Sequence, residues 1–539
     1  MNTPVLVALL VAAAAPGLRI VSKPPALNEL RGRPGLVAIL FVGAAAVALA
    51  GIALVRRQPA TLPVVAIGLL AINVVAWWRA RPAWGRSRSL PPGSLGLGRS
   101  LDALSDPDFY ADCALRWGPV FKSAQFHRPV ACITDLPVGL TFLRQREADL
   151  TSPRLPFGRV SPGHYIAFLS DREHPGHRPV LTRILLPEVS SGEGVSLRIG
   201  SELPVVQSCA DDVACCVRDG LHELAGSRPE AGVDPEEYLS RICYGALLRA
   251  VTGESPRGET LDGLRAWFGG LGRPVPFAER RPEERPDSFE PLVDWVYECG
   301  TRTRRRIEAN EQPPASVLTE TLSADPRALD DRVLLGNLVL LVHVTFSNVR
   351  GILGWVLKEA LDHPDRLHEI REACERDEST ANRQEMASRF VRETLRLHQS
   401  EFLYREVVRP TELAEFRIPR GWLVRVCVRE AHRNGEVFED PDAFRPERFE
   451  GEQYDETVYR PFSDGTHSRF GAEAALMIST VFVVELAAGF RANVLRDGPA
   501  ERSGNRHWSH WRPSRRLRIS LDPLVAGPGE PSPPPREDD

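Results

Sequence analysis

The stretch Phe462-Ser463-Asp464-Gly465-Thr466-His467-Ser468-Arg469-Phe470-Gly471 stands directly before a mostly apolar run, residues 474–490, with the pattern of a buried helix. Two glycines six residues apart flank a His and an Arg. Glycine lets the backbone come close to a flat group, and the first turn of a helix directs its free N–H groups at whatever lies there. A loop of this kind asks for a wide, flat ligand seated against a core helix. Glycine-rich loops before helices are common, so the weight of the pattern comes from what precedes it.

Upstream, Glu393-Thr394-Leu395-Arg396 lies inside a helical pattern, and Phe444-Arg445-Pro446-Glu447-Arg448-Phe449 follows. Between them stand Arg417-Ile418-Pro419-Arg420-Gly421 and Ala431-His432-Arg433-Asn434. In order and spacing these resemble the C-terminal signatures of the cytochrome P450 family: Glu-x-x-Arg, Pro-Glu-Arg-Phe and the haem-binding loop. The resemblance covers residues 90–522. It implies a mainly α fold with small β sheets and a family activity of haem-thiolate monooxygenation. Glu393, Arg396 and Arg448 fall on the family's buried charge triad. Phe462, Gly465, His467 and Gly471 fall on the haem loop, as cofactor-binding positions if haem binds.

The match fails where the chemistry belongs. The family's axial Cys is replaced by Arg469, Ser463 takes another loop position, and no Cys follows Cys427. A guanidinium has no lone pair to give and stays charged, so it does not ligate iron. The electron push of a thiolate is absent. A long apolar helix is expected over residues 334–361, ending at His363-Pro364, and it resembles the family's central helix over the haem. Ser347 and Asn348 take the places of the acid and the Thr that relay protons to oxygen, and Thr345 takes that of a Gly. Neither Ser347 nor Asn348 titrates near neutral pH, so the relay is lost with the ligand. His174 and Arg178 keep the family's spacing for holding haem propionates, in a segment where Gly176 and Pro179 make a poor helix.

The first 89 residues differ in kind. Residues 35–55 carry no charge and are long enough to span a hydrocarbon core. Residues 64–78 form a shorter apolar run ending in Trp77-Trp78, and residues 5–15 a third, signal-like one. Arg19, Lys23, Arg31 and Arg33 precede the first span, while Arg79, Arg81, Arg86 and Arg88 follow the second. The positive-inside rule then predicts a transmembrane helical hairpin with both ends, and the large domain, on the cytoplasmic side. Leu90-Pro91-Pro92-Gly93 reads as a stiff hinge, residues 117–122 and 128–133 as paired strands, and residues 238–251 as a helix. Residues 523–539 are Pro-rich and acidic and read as a disordered tail.

Composition narrows the partners. A net charge of −4 over 539 residues gives no sign of nucleic-acid binding. Nine scattered cysteines have no metal-ligand spacing and suit a reducing compartment; the adjacent Cys215 and Cys216 read as two buried small hydrophobes. Asp211-Asp212 and Asp330-Asp331 lack the further acids a Mg²⁺ cluster needs, so no metal site is expected. Three functions follow. The leading one is a membrane-tethered P450-like protein without haem or other cofactor, binding a small hydrophobic molecule and assisting a partner enzyme. The others are a haem oxidoreductase with unusual ligation and a redox-free enzyme using the emptied pocket.

Overall fold

The computed structural model describes most of residues 90–524; outside the description lie 1–89, 152–207, 272–288, 463–468, 503–510, 525–539 and a few shorter gaps. The expected membrane hairpin, the disordered tail and the pair His174 and Arg178 therefore lie outside the described residues.

Twelve helices are described: α1 (Phe109–Trp117), α2 (Leu136–Gln145), α3 (Ala210–Gly226), α4 (Pro235–Thr252), α5 (Gly258–Leu271), α6 (Glu290–Glu308), α7 (Val317–Ala324), α8 (Arg332–Asp362), α9 (Pro364–Glu375), α10 (Thr380–His398), α11 (Val428–Ala431) and α12 (Arg469–Gly489). A five-stranded sheet is built from β1 (Val120–Gln125), β2 (Arg128–Ile133), β3 (Leu150–Thr151), β4 (Leu403–Val407) and, after the small hairpin of β5 (Thr411–Leu413) and β6 (Phe416–Ile418), β7 (Leu423–Val426). Its order is β1-β2-β7-β4-β3, with β2 and β7 parallel and the other neighbours antiparallel. Two further pairings involve four strands near the C-terminus: β8 (Phe490–Arg496) with β11 (Arg518–Pro523), and β9 (Glu501–Arg502) with β10 (Trp511–Arg512).

The long helix α8 forms the centre. Asp331 caps it by accepting from the amides of Val333 and Leu334, which gives this acid a structural role in place of metal binding. Pro364 ends it, because proline supplies no amide and excludes the helical conformation before it. Leu335, Leu338, Val339, Val342, Val349, Leu353 and Val356 are buried along one stripe, and Leu334, Leu340, Ile352 and Trp355 are buried outside it, so α8 is packed on several sides. It packs against α4, α6, α10 and α12. Together α8 and residues 471–489 are the two described helices apolar enough to cross a bilayer, yet both belong to the main core.

Close approach at glycines sets two of these crossings. A Cβ on Gly220 of α3 would fall 2.2 Å from Cγ1 of Ile242 on α4. On Gly471 it would fall 3.3 Å from Oγ1 of the buried Thr345, where α12 meets α8. At the far end of α12, Arg371 of α9 donates to the carbonyls of Ala487 and Phe490 and satisfies helix-end acceptors.

The hinge segment is tied to the sheet. The amide of Lys122 donates to Pro92 O at 2.7 Å, and Gly93 bridges to Lys122 at φ +120°, with no space for a Cβ. One expectation is corrected. Cys215 is exposed on α3 and only Cys216 is half-buried, since residues 215 and 216 are about 100° apart around the helix and cannot share its inner face. Asp212, in the first turn of α3, pairs with Arg249 of α4.

Candidate functional site

The site is approached through a buried charge network. On α10, three residues apart and therefore on one face, Glu393 and Arg396 are both fully buried. Arg396 holds the carboxylate bidentately, Nε to Oε2 at 2.7 Å and Nη2 to Oε1 at 2.8 Å. Arg448, in the turn Pro446–Phe449, donates from Nε to Oε1 at 3.0 Å, and the amide of Arg445 adds a fourth bond at 2.9 Å. The remaining guanidinium protons go to main-chain oxygens. Arg396 reaches His432, Pro441 and Ala443, while Arg448 reaches Glu439, Asp440 and Ala443. The loop from 432 to 449 is thus wrapped around one carboxylate.

His432 carries this network toward the glycine loop. It is fully buried; its carbonyl accepts from Arg396, and its Nε2 accepts from the amide of Arg460 at 2.9 Å. Burial, followed by the charge of Arg396, pushes its pKa down to about 3, so the ring is neutral and can accept. Tyr459 stacks on this ring at 5.2 Å and donates to the carbonyl of Arg392. Residues 459–462 are fixed in this way, with Phe462 half-buried against the main core. Residues 431–434 resemble the family in sequence, but nothing local assigns His432 this role, since a His followed by Arg gives no signal of such a link.

Gly465 and His467 lie outside the described residues. Arg469 is the first residue of α12, and Gly471 stands beside Thr345 of α8. Near this contact on α8, Leu341 and Gly351 are half-buried and Asn348 is exposed, while His343, Phe346, Arg350 and Gly354 are half-buried on the other side of the helix. Positions 341, 348 and 351 share one helical face. On the other side, Phe346 stacks on Tyr244 of α4 at 3.8 Å, and Tyr244 stacks on Phe268 of α5 at 5.2 Å. The structure thus brings Thr345, Asn348, Gly471 and the start of α12 to one place, and joins Glu393, Arg396 and Arg448 behind it.

Residues 343–519 match the sequence pattern of the family described as cytochrome P450. Abscisic acid 8'-hydroxylase 2 of Arabidopsis thaliana is 24% identical over 454 residues, covering 78% of this chain and 88% of its own length. Abscisic acid 8'-hydroxylase 1 of Oryza sativa subsp. japonica is 24% identical over 432 residues, covering 75% and 85%. The retinoic acid-bound cyanobacterial CYP120A1 superposes with a TM-score of 0.60 at 21% identity, covering 81% of this chain and all of that one. The chain is a member of the cytochrome P450 family.

This membership overturns the expectation of a protein without a cofactor. Haem is the cofactor of the P450 family, and the described residues give no ground for excluding it. The sequence motif aligns Arg469 with the family's axial Cys, and a guanidinium cannot act as a ligand. The donor set therefore does not fit a thiolate-held haem.

Proposed function

We propose that this P450 is a membrane-tethered member of the monooxygenase family that binds a small apolar acid and serves a partner enzyme, without itself carrying out the oxygenation. The observation that carries the reading is Arg469 at the start of α12. The residues across from it agree, since Ser347 and Asn348 supply no acid for a proton relay and Thr345 fills the position where the family keeps space. The ligand class rests on the relatives, whose names carry abscisic acid and retinoic acid. The tether rests on the apolar runs 35–55 and 64–78 with their flanking arginines.

The test uses the full chain in lipid, supplied with haem, a P450 reductase and NADPH. Addition of CO to the reduced protein should give no thiolate Soret band, and abscisic or retinoic acid should raise its melting temperature without being turned over. A clear thiolate band with product formation would assign it instead to a divergent monooxygenase.

A further inference from the structure

The first turn of α12 is the positive end of a helix, and its amides have no carbonyl partner within the helix. Arg469 opens that turn, so a cation stands where a helix favours an anion. Glu473 is the only acid among residues 469–484. One carboxylate offsets one guanidinium, which leaves the partial charge of the helix end, about half an elementary charge, unmet. A helix that begins in this way is a receiver of anions.

Thr345 of α8 faces this helix end. It is 3% exposed, and its Oγ1 lies 3.3 Å from the point that a Cβ on Gly471, in the first turn of α12, would occupy. A buried threonine in a helix commonly turns its hydroxyl back to the carbonyl four residues earlier, as Thr252, Thr321 and Thr394 do. The Thr345 hydroxyl makes no such bond and has no hydrogen-bond partner among the described residues. A buried hydroxyl left in this state is destabilising, and an acceptor oxygen from a ligand relieves it. Positions 341, 345 and 348 share one face of α8. Half-buried Leu341 lies one turn before Thr345, and the exposed Asn348 one turn after it. This face therefore offers an apolar contact, a hydroxyl and an amide in order, with the positive helix end against the hydroxyl.

We propose that the carboxylate of the small apolar acid binds at the head of α12, accepting from the Thr345 hydroxyl and from the free amides of the first turn. The positive charge of Arg469 selects the ionised form, and the apolar body lies along α8 on the Leu341 side. The position that does not fit a thiolate-held haem thereby takes its anion from the ligand instead of from the chain. This deepens the apolar-acid reading above and depends on it.

The test titrates abscisic acid and retinoic acid, each beside its methyl ester, into the full chain in lipid nanodiscs, with empty nanodiscs subtracted, by calorimetry. An acid that binds should do so at least about tenfold more tightly than its ester, because hydrogen bonds to a charged group are lost in the ester. Thr345→Val, which keeps the shape and removes the hydroxyl, and Arg469→Gln should each weaken the acid by about tenfold and leave the ester unchanged. Melting temperatures of the free variants check folding, and the contrast of acid with ester in the parent chain needs no variant. Acid and ester bound equally, or acid binding untouched in both variants, would overturn the proposal while the ligand itself still binds. Binding of neither acid would sink the apolar-acid reading together with it.

Discussion

Glu393 accepts four hydrogen bonds, three of them from two guanidiniums, in a place water does not reach. Removing the carboxylate leaves two buried arginines without their counter-charge, which costs about 3–5 kcal/mol. Glu393→Ala should therefore lower the melting temperature of the domain by many degrees, measured by calorimetry; a value within a degree of the parent would show that the network holds nothing together. Arg425 behaves differently. It is buried with no carboxylate of the described residues within ion-pair distance and lies 3.9 Å from the Tyr110 ring and 4.1 Å from that of Phe402. Its charge is held by aromatic faces and by a bond to the Tyr404 hydroxyl. Nothing in the strand sequence Leu-Val-Arg-Val marks that cage, because its rings come from two other segments.

At the scale of elements, the crossings of α3 with α4 and of α8 with α12 are set by what is missing from a glycine. Gly220→Ala would gain helix propensity of about 1 kcal/mol. The new methyl, however, would meet Cγ1 of Ile242 at 2.2 Å, in a side chain that is itself 2% exposed and β-branched. Overpacking of this kind costs about 1–3 kcal/mol. We expect net destabilisation in urea unfolding, and partial relief on adding Ile242→Ala, which removes the clashing atom at the cost of a cavity. Strictly additive effects of the two substitutions would contradict the geometry. Periodicity marked α4, α8 and α12 as helices, with ends within a few residues of those observed, but not which residue of each faces its neighbour.

For the whole molecule, the buried His432 and the half-buried His398 link stability to pH. His432 has its pKa driven from an ordinary 6.5 to about 3, chiefly by burial. His398 is lowered too, by burial first, with Glu359 beside it pulling the other way. His432 is neutral when folded, His398 holds a proton less readily than in the unfolded chain, and both take one up in the unfolded chain below about pH 6.5. Their contribution is thus complete above that pH and is lost as pH falls, down to about 3 for His432. Urea midpoints should decline from pH 7 toward pH 4. In His432→Gln the decline should be shallower even if stability at pH 7 is lower, because the loss of the Arg460 amide bond does not depend on pH. An unchanged slope would mean that His432 is not the titrating group.

The sequence alone determined the family-like order of motifs, the central helix, the first hairpin of the sheet and the lost axial donor. Each is a local matter of spacing, periodicity or side-chain chemistry, and a guanidinium is no ligand in any fold. It also led astray, since a missing ligand was read as a missing cofactor, which a family likeness over most of the chain does not support. The tertiary structure alone decided that His432 joins the charge network to the amide of Arg460, just ahead of the glycine loop, that Asn348 is exposed on a core helix, and that the hinge segment pairs with β1. These depend on segments far apart in the chain. Their side chains meet only when α8, α10 and α12 close on one another and the hinge segment pairs with β1, and no local pattern encodes such meetings.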